Sequence, residues 1–497
     1  MWMVPVAAGL GVVMMAGTVW AATSVAQNVF VGAQPESVLP GSSIAFAKLD
    51  LRPSGGQLAG YTQFVNRLPD SMRDEIDPDA DPAKELVDSY IDEAGLDGMS
   101  YEEDFEPWLG RHFGFAMWVP DSEEAATERG GTTMAIAIEA EDEEAAEAAL
   151  DEIRSATDED TAFDVRDDFA ILAPNSAALS DLESQVESEG SLEDLDTYNQ
   201  DMEAIGTENV ASAWMDLGQL ASTAAEDSGS GTGGYGLDEY GGVQQPDPME
   251  SLGQYEDVSG RMAVGLRIEP EYMEVRGDTF GLTVDGVSTA DYDLPDPGLQ
   301  LMGDLPDDTV FAVGGSGAAD MMGQAYEQNP EELSDLEDLM SELGLTMPDG
   351  LTSLLGERTA LGITDLGGSV DEFFGGATGP PSLQYRAEGA DSQAVQNAID
   401  TMWENSYTTP PGVTSEGSVT VATSGTTGTG RLGDDAVFKQ TMAGTESAHM
   451  GMYLDLRPVA ESAEESAPEQ WGAVGASVTF DAETMSMRAR WAPNGGG

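Results

Sequence analysis

Over 497 residues, 93 Asp and Glu stand against only 19 Lys and Arg, a formal net charge of -74. That balance excludes nucleic acid as a direct partner and makes anionic lipid head groups poor ones, because both need basic side chains to displace counterions. Cysteine is absent, which removes disulfides, thiolate nucleophiles and cysteine metal sites, while 40% hydrophobic residues suffice for packed cores in two to four domains.

The first stretch, residues 1–31, carries no ionisable side chain and is long enough to cross a bilayer's hydrocarbon core at roughly 20 residues per span. Trp2 and Trp20 would lie about 27 Å apart on a helix rising 1.5 Å per residue, as interfacial markers do. The segment lacks the basic start of a secretory signal. An uncleaved membrane anchor is therefore expected, with the acidic body outside the cytoplasm. An acidic surface of this size repels itself in dilute buffer, and about 1 M salt, with a Debye length near 3 Å, removes that penalty. Adaptation to high salt follows.

After the anchor, Leu39-Pro40 opens a strand-like run ending at Leu51 and closed by Arg52-Pro53; Leu305-Pro306 opens a second, Thr309 to Val313, closed by Gly314-Gly315. Asp81-Pro82 starts a helix ending at Gly95, and Asn329-Pro330 starts one with Leu333, Leu336, Leu339, Met340 and Leu343 in register, ending at Gly344. Trp108-Leu109-Gly110 answers Leu354-Leu355-Gly356, and the helix ending Ala149-Leu150-Asp151 answers Ala398-Ile399-Asp400, so landmarks recur 246 to 249 residues apart. Later Tyr198-x-Gln200-x-Met202 matches Phe438-x-Gln440-x-Met442, and Glu271-x-Met273-x-Val275-Arg276 matches Glu483-x-Met485-x-Met487-Arg488. The shared order indicates a tandem duplication. The fold class expected is α+β: an N-terminal transmembrane helix, then two duplicated lobes, 39–284 and 305–493, with largely antiparallel sheets. Residues 222–253, rich in Gly and Ser, are expected to form a disordered acidic loop inside the first lobe, and Thr420 to Gly430 a smaller loop in the second.

The anchor, the run Ala47-Lys48-Leu49-Asp50-Leu51-Arg52-Pro53-Ser54-Gly55-Gly56 after Leu39-Pro40, and Trp108-Leu109-Gly110 ahead of a strand together resemble an uncharacterised bacterial membrane-anchored family, domain of unknown function 3352. The resemblance covers most of the chain after the anchor. It implies a membrane-tethered protein of no assigned activity and transfers no catalytic residue. The chain departs from that pattern in having no basic segment ahead of the span.

Candidate sites are few. Leu49-Asp50-Leu51-Arg52-Pro53 recurs as Leu454-Asp455-Leu456-Arg457-Pro458; on a strand each Asp and Arg would share a face and form a structural ion pair, with an anion-reading arginine as the functional alternative. Asp77-x-Asp79-x-Asp81 has the alternate-acid spacing of a calcium loop, but Pro82 and Asp88 occupy the positions where that loop needs Gly and Glu. It reads as a helix cap among solvated acids, with weak divalent-cation binding spread over the surface. His112 and His449 are the only imidazoles, they fall on unrelated landmarks, and no nucleophile elbow, zinc helix or phosphate loop is present. No catalytic, cofactor or metal residue is assigned. The expected function is non-enzymatic binding of an envelope protein or other envelope component; the alternatives are a carrier holding an apolar ligand or lipid between the lobes, and a carboxylate-dependent hydrolase.

Overall fold

A computed structural model describes residues 34–50, 55–73, 83–84, 87–88, 91, 96, 98–127, 131–156, 161–206, 209–228, 257–284, 286–288, 296–328, 330–365, 382–403, 410–425, 427–481 and 483–493. The anchor and the Asp77, Asp79, Asp81 cluster fall outside them. No helix of the described residues is long and apolar enough to cross a membrane.

The first half supplies β1 (Ala45–Asp50), β2 (Leu109–Trp118), β3 (Thr133–Ala140), β4 (Ala162–Arg166), β5 (Phe169–Ala173), β6 (Ala211–Asp216), β7 (Val258–Glu269), β8 (Tyr272–Val284) and the short β9 (Val287–Ser288). The second supplies β10 (Phe311–Ser316), β11 (Arg358–Asp365), β12 (Ser382–Glu388), β13 (Gly412–Glu416), β14 (Val419–Ser424), β15 (Met450–Asp455), β16 (Ala473–Phe480) and β17 (Thr484–Ala492). All join one 17-stranded antiparallel sheet. Its order is β4-β5-β3-β2-β1-β6-β7-β8-β17-β16-β15-β10-β11-β12-β14-β13, with β9 folded back on the end of β8.

Two lobes with sheets of their own were expected, and here the halves share one. Left apart, β8 and β17 would each present a long row of unpaired N–H and C=O groups; pairing them abolishes both edges. Outward from this seam the strand order is the same in both directions. Arg276 lies opposite Arg488, and the flanking pairs Glu274 with Arg490 and Asp278 with Ser486 exchange places about that point, so a pseudo-twofold axis passes between the two arginines.

A second repetition lies inside each half. β1 and β6 pair side by side, each runs into a helix, α1 (Gly55–Val65) or a second at Leu217–Ser228, and each helix precedes a pair of antiparallel strands. This places the recurrent Leu-Asp-Leu-Arg-Pro. Asp50 ends β1 and Asp455 ends β15, although β15 corresponds to β6 in the half-to-half match. The second copy marks a strand-to-helix corner at Asp455, while Leu51-Arg52-Pro53 of the first lies outside the described residues.

The remaining helices are α2 (Glu143–Ala156), α3 (Ser176–Glu189), α4 (Asp196–Ile205), α5 (Leu217–Ser228), α6 (Ala318–Gln328), α7 (Ser334–Glu342), α8 (Asp349–Leu355), α9 (Ser392–Trp403), α10 (Ala436–Thr441) and α11 (Leu456–Ser462), with single turns between them. In the first half α3 and α4 close one sheet face over Phe46, Trp118, Phe169, Ile171 and Trp214, all fully buried. The turn at Pro35–Ser37 packs there too. On the opposite face Leu49, Phe113, Ile138 and Leu172 are only partly buried, packed against α2 and Ala83, Val87, Leu96, Tyr101 and Phe105. One sheet thus has a sealed face and a face of apolar side chains that is incompletely covered.

Three local expectations are corrected. Residues 222–228 are helical, because Leu217, Leu220 and Ala221 give α5 a buried stripe; the rest of the expected loop lies outside the described residues. Residues 420–424 belong to β14, where Val421 and Ala422 are buried, so β-propensity and burial outweigh the Ser/Thr/Gly composition. Leu456-Arg457-Pro458 opens a helix rather than extending a strand: the Asp455 carboxylate caps it by accepting from the Arg457 backbone N–H at 3.0 Å. The hairpins β4–β5 and β13–β14 were not expected at all. The first turns on Asp167-Asp168, both with positive φ, which matches a two-residue primed turn.

Candidate functional site

Two features of the first half could carry chemistry or binding, one on each face of the sheet. On the sealed face, neighbouring strands bring together residues far apart in sequence. Lys48 and Asp50 come from β1, His112 from β2 and Glu139 from β3, all nine-tenths or more buried. His112 Nδ1 lies 2.8 Å from Glu139 Oε2, and its Nε2 lies 3.4 Å from Asp50 Oδ1. Glu139 Oε2 also accepts from the backbone N–H groups of Arg111 at 2.8 Å and His112 at 3.1 Å. Burial would raise the Glu139 carboxyl, but the His112 side chain and these N–H groups hold it below its ordinary value. Lys48 Nζ donates to Glu36 Oε1 at 2.9 Å and Gln34 Oε1 at 3.0 Å.

Asp50 is the outlier. Neither carboxylate oxygen has a hydrogen-bond partner among the described residues. Desolvation pushes its pKa up to about 7, against the opposing pull of His112 and Lys48. The second half lacks this cluster: at the matching places Ser316 stands for Asp50 and Gly314 for Lys48, leaving a single ion pair, Arg358 to Glu388 at 2.9 Å.

The acid–imidazole–acid row has a base and a proton store but no nucleophile, and it is roofed. Pro35 packs against Gly114, where a Cβ would come within 2.3 Å of the proline Cβ. The cluster therefore fastens the turn at 34–37, the first described part of the body after the N-terminal segment. Gly114→Ala is expected to displace that turn, to cost about 1–3 kcal/mol as overpacking does, and to raise amide hydrogen exchange at residues 36–38. Unchanged exchange there would show that the roof does not rest on this contact.

The opposite face holds a cavity of about 370 Å³. Phe113 and Ile136 form its floor, Leu150 and Ile153 of α2 one wall, Phe105 and Trp108 another. Thr161 is the only polar side chain among the described residues that line it. Trp108 offers its ring alone, because its indole N–H is spent on the Asp104 carbonyl at 2.7 Å. By liquid volume the space could take about twelve waters, yet each would need two to four polar partners, so the cavity favours an apolar occupant. A smaller cavity of about 230 Å³ in the second half is mixed in character, bounded by Leu299, Phe438 and Met442 but also Lys439 and Glu446.

The sequence-level candidates fare unevenly. Asp455 and Arg457 do pair, at 2.7 and 2.8 Å, with Asp435 3.4 Å away; hydrogen bonding to Asp455 raises the guanidinium pKa further, which makes a fixed structural cation. Arg52 lies outside the described residues. Among those described no three Asp, Glu or His could hold a metal ion. Sequence reasoning missed the Asp50–His112–Glu139 row, since each member is unremarkable in its own strand and only register puts the three side by side. His449 is unconnected to it; its Nδ1 accepts from the Phe480 backbone N–H at 3.1 Å.

No protein-family model matches this chain, and neither does a curated protein or a solved structure.

Proposed function

We propose that this is a non-enzymatic binding protein, held at the outside of the cytoplasmic membrane by its N-terminal segment, whose first half accepts an apolar chain such as the acyl tail of a lipid. The cavity over Phe113 and Ile136 carries this reading. Its volume of about 370 Å³ falls within the ~300–1,000 Å³ of ligand sites, and its walls are almost wholly apolar. Such a site holds its ligand by water exclusion, at about 25 cal/mol per Å² of apolar surface removed from water, and discriminates by length and shape rather than by hydrogen bonds. The ligand would sit within one half, against the sheet, and not between two lobes. The resemblance to a membrane-tethered family and the uncharged N-terminal stretch support a location where such chains are abundant.

Titration with dansylundecanoic acid in 1 M KCl tests the proposal. A saturable, blue-shifted signal at one site per chain is expected, and Ile136→Trp, which fills the cavity from its floor, is expected to weaken it at least tenfold while the unfolding temperature holds. Absence of saturable binding, or equal binding by a folded Ile136→Trp, would overturn it.

A further inference from the structure

The arginines of this acidic chain are not scattered evenly. At the seam between the halves, β7, β8 and β17 bring Arg267, Arg276, Arg488 and Arg490 onto the sealed face of the sheet, the face opposite the apolar cavity. Among the described residues of these strands, Glu269, Glu274 and Asp278 share that face, the last two of them buried. On α4, Asp201 is already engaged by Arg261 at 2.7 Å, and Glu203 stands exposed three residues before Gly206. Four guanidiniums against three carboxylates leave a local surplus of positive charge in a chain whose formal net charge is -74.

The arrangement places like charges together. Arg276 and Arg488 are directly opposed across strands, a placement that costs stability unless something offsets it. Their known partners do so only in part. Arg276 pairs through Nη2 alone, with Asp278 at 2.9 Å, and has no other acceptor among the described residues. Arg488 makes long contacts, 3.3–3.4 Å to the Gly444 and Ala443 carbonyls and 3.5 Å to Glu274. Arg267 makes no ion pair among the described residues, and its Nε is buried without a hydrogen-bond partner. A terminal nitrogen of Arg267 lies beside Gly206 at the end of α4, and Arg488 Nη1 lies beside Gly444, just beyond α10. The floor between those two helix ends remains open to solvent, with about a third of the Arg276 and Arg488 side chains exposed.

We propose that this cleft, floored by Arg276 and Arg488 and bounded by the ends of α4 and α10, docks a tetrahedral oxyanion of the phosphate type. Guanidinium N–H groups match such an anion in pairs. The acidic surface does not forbid it in salt: at about 1 M the Debye length is near 3 Å, so an anion in the cleft feels the arginines beside it and not the distant carboxylates. The site is independent of the apolar cavity, which faces the other way.

Calorimetric titration of the full chain with inorganic phosphate in 1 M KCl tests this. One saturable site is expected, weakened at least tenfold by Arg488→Gln and by Arg267→Gln, neither of which strips a buried acid of its closest partner, and partly retained by Arg488→Lys. In phosphate-free buffer both Gln variants should unfold no earlier than wild type, since like-charge repulsion is relieved; phosphate should raise the unfolding temperature of wild type alone. Soluble dioctanoyl phosphatidic acid distinguishes sources: binding tenfold tighter than phosphate assigns a lipid head group, and equal binding a free oxyanion. No heat beyond the chloride control, or equal phosphate binding and equal thermal shift in both folded Gln variants, overturns the proposal.

Discussion

Replacing Asp50 by Asn is expected to stabilise the protein by about 4 kcal/mol at pH 8 and to leave it unchanged near pH 3.5. In the folded state the buried carboxyl keeps its proton until about pH 7, whereas in the unfolded chain it loses it near 3.8. Between those values the native state binds more protons than the unfolded state, so stability falls as pH rises, then levels off once both forms are ionised. Roughly three units at 1.36 kcal/mol each give the size of the effect. Asn keeps the shape and never ionises. Urea unfolding of both proteins from pH 4 to pH 8 measures it: the wild-type curve should fall across this window relative to the variant, and parallel curves would mean that Asp50 is not desolvated as its burial implies. His112, Lys48, Glu36 and Glu139 surround it, so the slope reports the cluster's proton balance as well as one residue.

The second large effect lies at the seam. Arg490→Met is expected to destabilise the protein by about 3–5 kcal/mol, because it leaves Glu274, only 5% exposed, with Arg488 at 3.5 Å as its remaining cation. Arg490 donates to Glu274 Oε2 from Nη2 at 2.6 Å and Nε at 3.1 Å, lies over the face of the Tyr272 ring at 4.0 Å, and donates to the Gln440 carbonyl at 3.0 Å. The double variant Arg490→Met with Glu274→Met should recover most of the loss, since two apolar side chains leave no buried charge unpaired. A single substitution costing under 1 kcal/mol would show that backbone pairing of β8 with β17, and not this ion pair, joins the halves.

What could be read from the sequence alone was whatever depends on neighbours along the chain. The strand at Ala45–Asp50 and the helix at Ser334–Glu342 with its Gly344 stop follow from alternation and periodicity, and the repeated landmarks follow from order; the helix start expected at Asn329-Pro330 is instead a 3-10 turn over Pro330–Leu333, and the helix begins at Ser334 without a side-chain cap. So did the α+β class with antiparallel pairing, because strands and helices interleave without the one-to-one alternation of a parallel sheet. Composition misled where burial overrode it, at residues 222–228 and 420–424. The tertiary structure alone decided that the halves share one sheet, that Asp50, His112 and Glu139 form a row, that Arg276 faces Arg488, and that an apolar cavity opens beneath α2. Each of these depends on strand register, which couples residues 27 to 216 positions apart in the chain. Periodicity fixes which face of its own strand a side chain takes, but what it meets across the gap is set by long-range pairing and packing.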